Sequence, residues 1–381
     1  RHSVYISSGG SAFNIQILSG AEFRCSSGVN MSGVHISSGS YLYVSSGASC
    51  LGVDLQSGGG LIHDVWGFDE KTVVSGSHGS GPFYLSGGTA YNYLLNDVLQ
   101  QIYYGGTAIS TTVNSGGTQY VSFFAEAIST TVNSSGMQEV YSSGIARDTI
   151  IAQSGAQQRI REFGTAYNAV VHSQAYQYVY SNAYAEGTVV SSGGTQYVSY
   201  GSAASTTIRP GGSVYTRSNC LTINMVVDSG GQFWLQDYSR CSGVVVSSGG
   251  AFYVGNYNSV ASATLMIGAY FSCGSNNQFD FNGDNVFVLS SSIVTEKGAT
   301  LSGATVSNYG TALVFSGGTA VDFGIYSGGS LTLSAGGTAS GVTVANGGSM
   351  WVLSGASALE VVSSAGAYVY SAAGAYITYA A

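Results

Sequence analysis

The residues able to carry out chemistry are few and scattered. Eighteen acidic residues, ten basic ones and five histidines are spread over 381 positions. Polysaccharide cleavage needs two carboxylates a few ångströms apart, or a Ca²⁺ site beside a basic residue. In a repetitive chain that would show as acids recurring at one position of the unit. Glu126, Glu139, Asp148 and Glu162 occupy different positions, so no catalytic groove and no enzyme is expected. The densest polar cluster is His63, Asp64, Asp69, Glu70 and His78. Imidazole and carboxylate are metal-ligand types, yet an irregular, solvated turn accounts for the same residues and is preferred. Asp280, Asn282 and Asp284 in DFNGDN have the oxygen chemistry of a weak Ca²⁺ loop. Gly283 comes too early for an EF-hand, and an Asn-Gly turn is the simpler reading. No metal or other cofactor is expected, and GxSxG, HExxH and P-loop signatures are absent.

The cysteines Cys25, Cys50, Cys220, Cys241 and Cys273 show no CxxC spacing, which argues against zinc or redox chemistry. Cys25 and Cys273 fall where the repeat places an inward Val, as small buried hydrophobes. Cys220 and Cys241 lie one period plus two residues apart, so a bridge between adjacent rungs stays open if their Cβ directions suit it.

What must position all of these is a repeat. ISTTVNS occurs at Ile109–Ser115 and again at Ile128–Ser134, 19 residues on. Gly117, Gly136 and Gly155 keep that offset, as do Val113, Val132, Ile151 and Val170. A fixed period of this size marks a stacked array. TQYVS-like and STTVNS-like phrases alternate side chains as strands do, placing Gln119 and Val121 on one face and Thr130 and Val132 on the next. Ser-Gly-Gly phrases supply the corners. A unit with two or three short strands cannot bury its apolar face alone but can by stacking on its copies. The expected fold is all-β, a parallel β-solenoid (β-helix) of about 20 rungs, each about 19 residues, as a single array over 1–381. Irregular turn insertions are expected near 57–82 and 275–285. Over 91–104, YNYLLNDVLQQIYY also fits one helical face; the rung register, with Ile102 lying 19 before Val121, favours strand.

With 56 glycines but 44% hydrophobic residues, including 28 Tyr and 15 Phe, the composition is not that of a disordered linker. Net charge is −8 and only Lys71 and Lys297 are lysines. That argues against nucleic acid and against contact with an anionic membrane. No run of about 18 apolar residues predicts a spanning helix. The chain begins inside a repeat phrase, without a visible signal peptide, as a mature product or fragment would. A neutral, hydrogen-bonding exterior favours homotypic association, lateral or end to end. Tyr120, Tyr197, Trp234, Tyr253 and Trp351 sit beside the inward Val-type site and are expected to face outward, where aromatics can contact sugars or a neighbouring rod or simply stack as sheet-stabilising ladders.

At GGTAISTTVNSGGTQYVS, SSGGTQYVS (191–199) and SGGSLTLSAGGTASGVTVANGGSMWVLSG (327–355) the sequence resembles the AIDA-type repeat of self-associating autotransporter adhesins of Gram-negative bacteria. Looser copies extend the resemblance over nearly the whole chain. It implies a right-handed β-helix displayed at the bacterial cell surface, acting in adhesion, self-aggregation or biofilm formation. Host or neighbouring-cell glycans are implied as partners. It also implies O-glycosylation, often with heptose, by a glycosyltransferase. The matching acceptors are Ser7, Ser8, Ser37, Ser38, Ser45, Ser46, Ser142, Ser143, Ser191, Ser192, Ser247 and Ser248. Five cysteines and abundant Tyr depart from the family pattern. A structural subunit of an extracellular filament, sheath or surface layer is the alternative expectation.

Overall fold

The structure, a computed structural model, describes residues 3–56, 58–64, 73–78, 81–265, 270–273, 278–280, 293–295, 300–302, 305–306 and 311–380. These residues are all-β, with parallel strands and no helix, in about 17 turns, close to the number expected. One turn shows the plan. Thr107–Ile109 and Thr112–Val113 are two short strands separated by Ser110, whose φ of 55° bends the chain between them. A corner at 114–117 follows, then the Thr118–Val121 strand, then a second corner at 122–125. Each strand pairs with its copy one turn later: Thr107↔Glu126, Thr112↔Thr131, Thr118↔Met137.

The chain forms two compact units. The first comprises Arg1–Val189 and Gly193–Gln196. Its interior is built of like on like. Ala108, Ala127, Ala146, Ala166 and Ala185 stack in one column, and Val113, Val132, Ile151 and Val171 in a second; Val121, Val140, Ile160 and Val179 form a third. All are buried. A one-residue slip would turn every one of them to solvent, which is why the alternation fixes register.

One interior column is polar. Gln100, Gln119, Gln138, Gln158, Gln177 and Gln196 are fully buried. The Nε2 of Gln119, Gln138, Gln158, Gln177 and Gln196 each donates to the Oε1 one turn earlier, at 2.9, 2.8, 2.7, 2.7 and 2.7 Å, while the Gln100 Nε2 has no partner among the described residues. Thr130, Thr149 and Thr188 donate to the same carbonyl oxygens of Gln119, Gln138 and Gln177. Burial of amides is tolerable only when hydrogen-bonded, and from Gln119 onward each Nε2 meets that condition by pairing with the glutamine one turn earlier.

The 91–104 segment is strand, at Thr89–Leu95 and Leu99–Tyr103. Ile102 pairs with Val121 as the period predicts. Within 57–82, Gly60–Asp64 and Val73–His78 are strands. His63 is fully buried, with Nδ1 2.7 Å from the Val44 carbonyl oxygen, which corrects the expectation of a solvated turn for that residue. Asp69, Glu70 and the rest of 65–72 lie outside the described residues.

A second correction concerns the period. Met137 pairs with Gln157 and Ile151 with Val171, both 20 residues apart. The extra residue lies in the corner between Ile151 and Gln157, so Val171, not Val170, continues the inward column. Gly155 (φ 75°) correspondingly matches Ser135 (φ 56°), with Ala156 in the place of Gly136.

The second unit comprises Val190–Ser192 and Tyr197–Ala381. Its register agrees with the sequence: Val227↔Val246, Val246↔Leu265, Val314↔Leu333 and Leu333↔Val352. Its core includes Phe233 and Phe252, stacked at 5.0 Å, and the fully buried Phe323. Cys220 and Cys241 are free and buried. Cys241 pairs in register with Thr222, while the Cys220 Sγ donates to the carbonyls of Arg217 (2.7 Å) and Val198 (3.0 Å). They occupy different columns, so a bridge between them does not exist. Cys25 and Cys50 are also free and buried, and Cys25 matches inward Val44 as expected.

Candidate interaction surfaces

The two corners of each turn are chemically different, although both can carry Ser-Ser-Gly. The corner after the Thr112–Val113-type strand is Ser/Gly. In the first unit it contains Ser115-Gly116, Ser134-Ser135, Ser154-Gly155 and Ser173-Gln174. Its second residue is left-handed, at φ 75°, 56°, 75° and 58°. Neighbouring turns are tied along it by side chains: Asn133 to Asn114 (2.8 Å), Ser134 to Gln153 (2.8 Å), Ser154 to Gln174 (2.9 Å). Ser37, Ser38, Ser191, Ser192, Ser247 and Ser248 belong to this corner; Ser38, Ser192 and Ser248 are exposed.

The corner after the Thr118–Val121-type strand carries the other serine candidates. In its early turns it too is Ser-Gly, at Ser8-Gly9, Ser27-Gly28 and Ser46-Gly47. Ser7, Ser8 and Ser45 are exposed, and Ser8 Oγ donates to the Ser27 carbonyl at 2.8 Å. Farther along it becomes Tyr104-Gly105, Phe123-Phe124, Ser142-Ser143 and Glu162-Phe163 in the first unit. Asp237-Tyr238 and Asn256-Tyr257 occupy it in the second. Phe123, Phe124 and Phe163 have φ of 47°, 63° and 68° and are 46%, 68% and 67% exposed. Turns of this kind require positive φ, normally met by Asn or Gly. Bulky side chains are rare there.

The outward aromatics resolve into three places. Tyr120 lies in the first unit, edge-on to Tyr141 at 5.9 Å. Tyr197, Trp234 and Tyr253 share one ladder in the second unit, Tyr197–Tyr215–Trp234–Tyr253, with ring centroids 5.4, 6.0 and 3.7 Å apart and planes within 19° of parallel. The spacing misses Tyr215 because it follows Tyr197 by 18 residues rather than 19. Trp351, 38% exposed, packs with Tyr368 and Tyr370, each at 5.2 Å. Some of the outward charges pair across turns, Arg147 with Glu126 and Arg161 with the buried Glu139, while Arg24 pairs with Glu22 in its own strand and Arg159 bonds to Gln157.

Among the described residues no group of three or more His, Cys, Asp or Glu could hold a metal. Asn282 and Asp284 lie outside those residues, as does the side chain of Asp280. No helix among the described residues is long and apolar enough to cross a membrane.

Residues 75–136 match the family described as adhesin of bacterial autotransporter system, probable stalk. The crystal structure of a hyper-glycosylated TibA fragment, residues 55–350, produced by TibC catalysis, is 30% identical. It aligns over 76% of this chain and 100% of that fragment, with a TM-score of 0.60. The chain belongs to the AIDA-type autotransporter adhesins. Its place is therefore the bacterial cell surface, outside the cell. A PL6 family alginate lyase, AlyGC, aligns over 99% of this chain and 97% of its own at 8% identity and a TM-score of 0.26, too low to carry any argument. No curated protein matches in sequence. For an adhesin passenger the surface of interest is its corners and outward strands, and these are where unusual residues collect.

Proposed function

We propose that this adhesin segment works without catalysis, by self-association through the sides of its solenoid units, and that its corner serines accept O-linked sugars. The observation that carries the first part is the outward strand face. It is built largely of Tyr, Trp, Gln and Thr, carries few charges, some of them paired (Arg147 with Glu126, Arg161 with Glu139), and presents mainly hydroxyl, amide and ring groups. Such a face adheres to a copy of itself without the long-range repulsion that a charged surface would impose. The second part is supported by the exposed serines at both corners and by likeness to the TibA fragment, which is hyper-glycosylated through TibC catalysis. A glycosyltransferase, with heptose as the sugar that the family resemblance implies, is the partner that reading requires.

The test is intact-mass spectrometry combined with sedimentation velocity, on protein produced with and without the TibA-modifying enzyme. Sugar-sized mass increments mapping to Ser38, Ser192 and Ser248, with reversible association of the protein, are expected. An unmodified mass in the presence of the enzyme would remove the glycosylation reading. A single sedimenting species at all concentrations would remove self-association.

A further inference from the structure

A shallow pocket of about 180 Å³ opens on the second corner of the first unit, lined by Gln101, Tyr103, Tyr104, Ser122, Phe123 and Tyr141. It spans three successive turns. Tyr104 and Phe123 stack with ring centroids 5.6 Å apart and planes 26° from parallel. Tyr103 meets Tyr104 edge-on at 5.2 Å. The corners beneath the rings are closed by backbone bonds: Gly106 to Tyr103 and Ala125 to Ser122, both 3.1 Å, and Gly144 to Tyr141 at 2.9 Å. The Phe123 N–H is fixed on the Ser142 carbonyl at 2.9 Å.

Two observations single the pocket out. Tyr104 and Phe123 hold left-handed backbone, with φ of 48° and 47°, and the turn chemistry gives them no advantage there. The same corner in earlier turns carries Ser-Gly. Backbone outliers retained against local preference gather at functional sites. The lining is also of one chemical kind: aromatic faces and edges, phenol and serine hydroxyls, and one carboxamide. None of the six lining residues is an acid, a lysine, an arginine or a histidine, and the Arg161 guanidinium that lies 5.1 Å from the Tyr141 ring is already ion-paired with Glu139 and Glu162, so the lining favours a neutral ligand over a phosphate or a carboxylate. Apolar ring faces with a few convergent neutral hydrogen-bonding groups suit a ligand with both C–H faces and hydroxyls.

We infer that this pocket binds a neutral saccharide unit, with its C–H face on the Tyr104 and Phe123 rings and its hydroxyls toward Gln101, Ser122 and Tyr141. This goes beyond self-association through the sides of the solenoid, which needs no bound sugar. The sugar can belong to another cell's surface or to a glycosylated second copy; both present the same chemistry.

The test is saturation-transfer NMR on the full chain, made without a glycosyltransferase, using the methyl glycosides of glucose, galactose and mannose. Sialic acid and glucose 6-phosphate serve as charged comparators. Transfer to at least one neutral glycoside is expected, with none to the charged sugars. Phe123→Gly should abolish it with the thermal midpoint unchanged or raised, because glycine suits the backbone there. Tyr141→Phe should weaken it without abolishing it. Repeating the experiment on glycosylated protein separates the sources: loss of transfer to the free glycoside as protein concentration rises identifies the sugars of a second copy as the occupant, and unchanged transfer leaves foreign glycans. Any of three results overturns the inference: no transfer to a neutral glycoside, equal transfer to the charged sugars, or transfer that survives Phe123→Gly. Loss of self-association in Phe123→Gly, without sugar binding in the parent, would assign the pocket to protein contact and overturn it as well.

Discussion

Phe123 and Phe124 occupy adjacent positive-φ positions, at 47° and 63°, with their side chains largely in solvent. Each residue held in that region costs on the order of 1 kcal/mol relative to glycine. Phe123→Asn combined with Phe124→Gly should therefore raise stability by about 1–2 kcal/mol, read from urea unfolding midpoints. Glycine is essential one turn later for a different reason. A Cβ on Gly144 would sit 2.2 Å from the Val121 carbonyl oxygen, so Gly144→Ala should cost roughly 3 kcal/mol, measured in the same assay. Tyr93 makes a third residue-scale case. It is buried against Phe83 at 4.5 Å, its hydroxyl has no hydrogen-bond partner among the described residues, and burial pushes its phenol well above the ordinary range. Burial raises the Cys241 thiol likewise, while Cys50 is raised first by its hydrogen bond to Cys25 and then by burial. All three are neutral in the fold and ionise more readily when unfolded. Their contribution is complete at lower pH and is lost as pH climbs past the unfolded values, about 8.5 for thiols and about 10 for phenol. The thermal midpoint should be flat near neutrality and fall from about pH 9 upward. Tyr93→Phe should be neutral or stabilising by about 1 kcal/mol and should flatten the alkaline part of that fall.

At the scale of elements, strands are legible in the sequence because inward and outward residues alternate and because the repeat aligns like with like. Cys25 with Val44 and Ile102 with Val121 can be paired from spacing alone. The extra residue between Ile151 and Gln157 cannot be found that way, since Gly155 keeps a 19-residue offset by coincidence and a turn absorbs one residue without disturbing either strand. Nor can the two corners be told apart, because Ser-Ser-Gly serves both; only pairing shows that Ser142-Ser143 and Ser191-Ser192 lie on different edges. The aromatic corner is hidden for a physical reason: propensity assigns positive φ to Gly or Asn, and Phe there contradicts it. The alternation places Gln119 inward without revealing its partners, since a buried amide is satisfied here by copies a full turn away. That ladder couples successive turns of the first unit. Gln138→Ala removes the acceptor for both Gln158 and Thr149 and the donor to Gln119. Leaving these buried groups unmet should cost about 3–4 kcal/mol, seen in chemical denaturation and in faster amide exchange of the adjoining strands.

For the molecule as a whole, the proposed self-association rests on the repeat. A solenoid offers the same outward positions turn after turn, so weak contacts by neutral side chains add along a shared edge. Multivalent contact of that kind raises avidity without any single strong site. Charges on the face are few, and the proposed attraction between neutral groups should not depend on salt. The most direct measurement is sedimentation velocity over a concentration series at low salt and again near 1 M, where the screening length is about 3 Å. Reversible association that persists or strengthens at high salt is the predicted result. A monodisperse chain at every concentration, or association that disappears with added salt, would contradict adhesion through neutral solenoid faces.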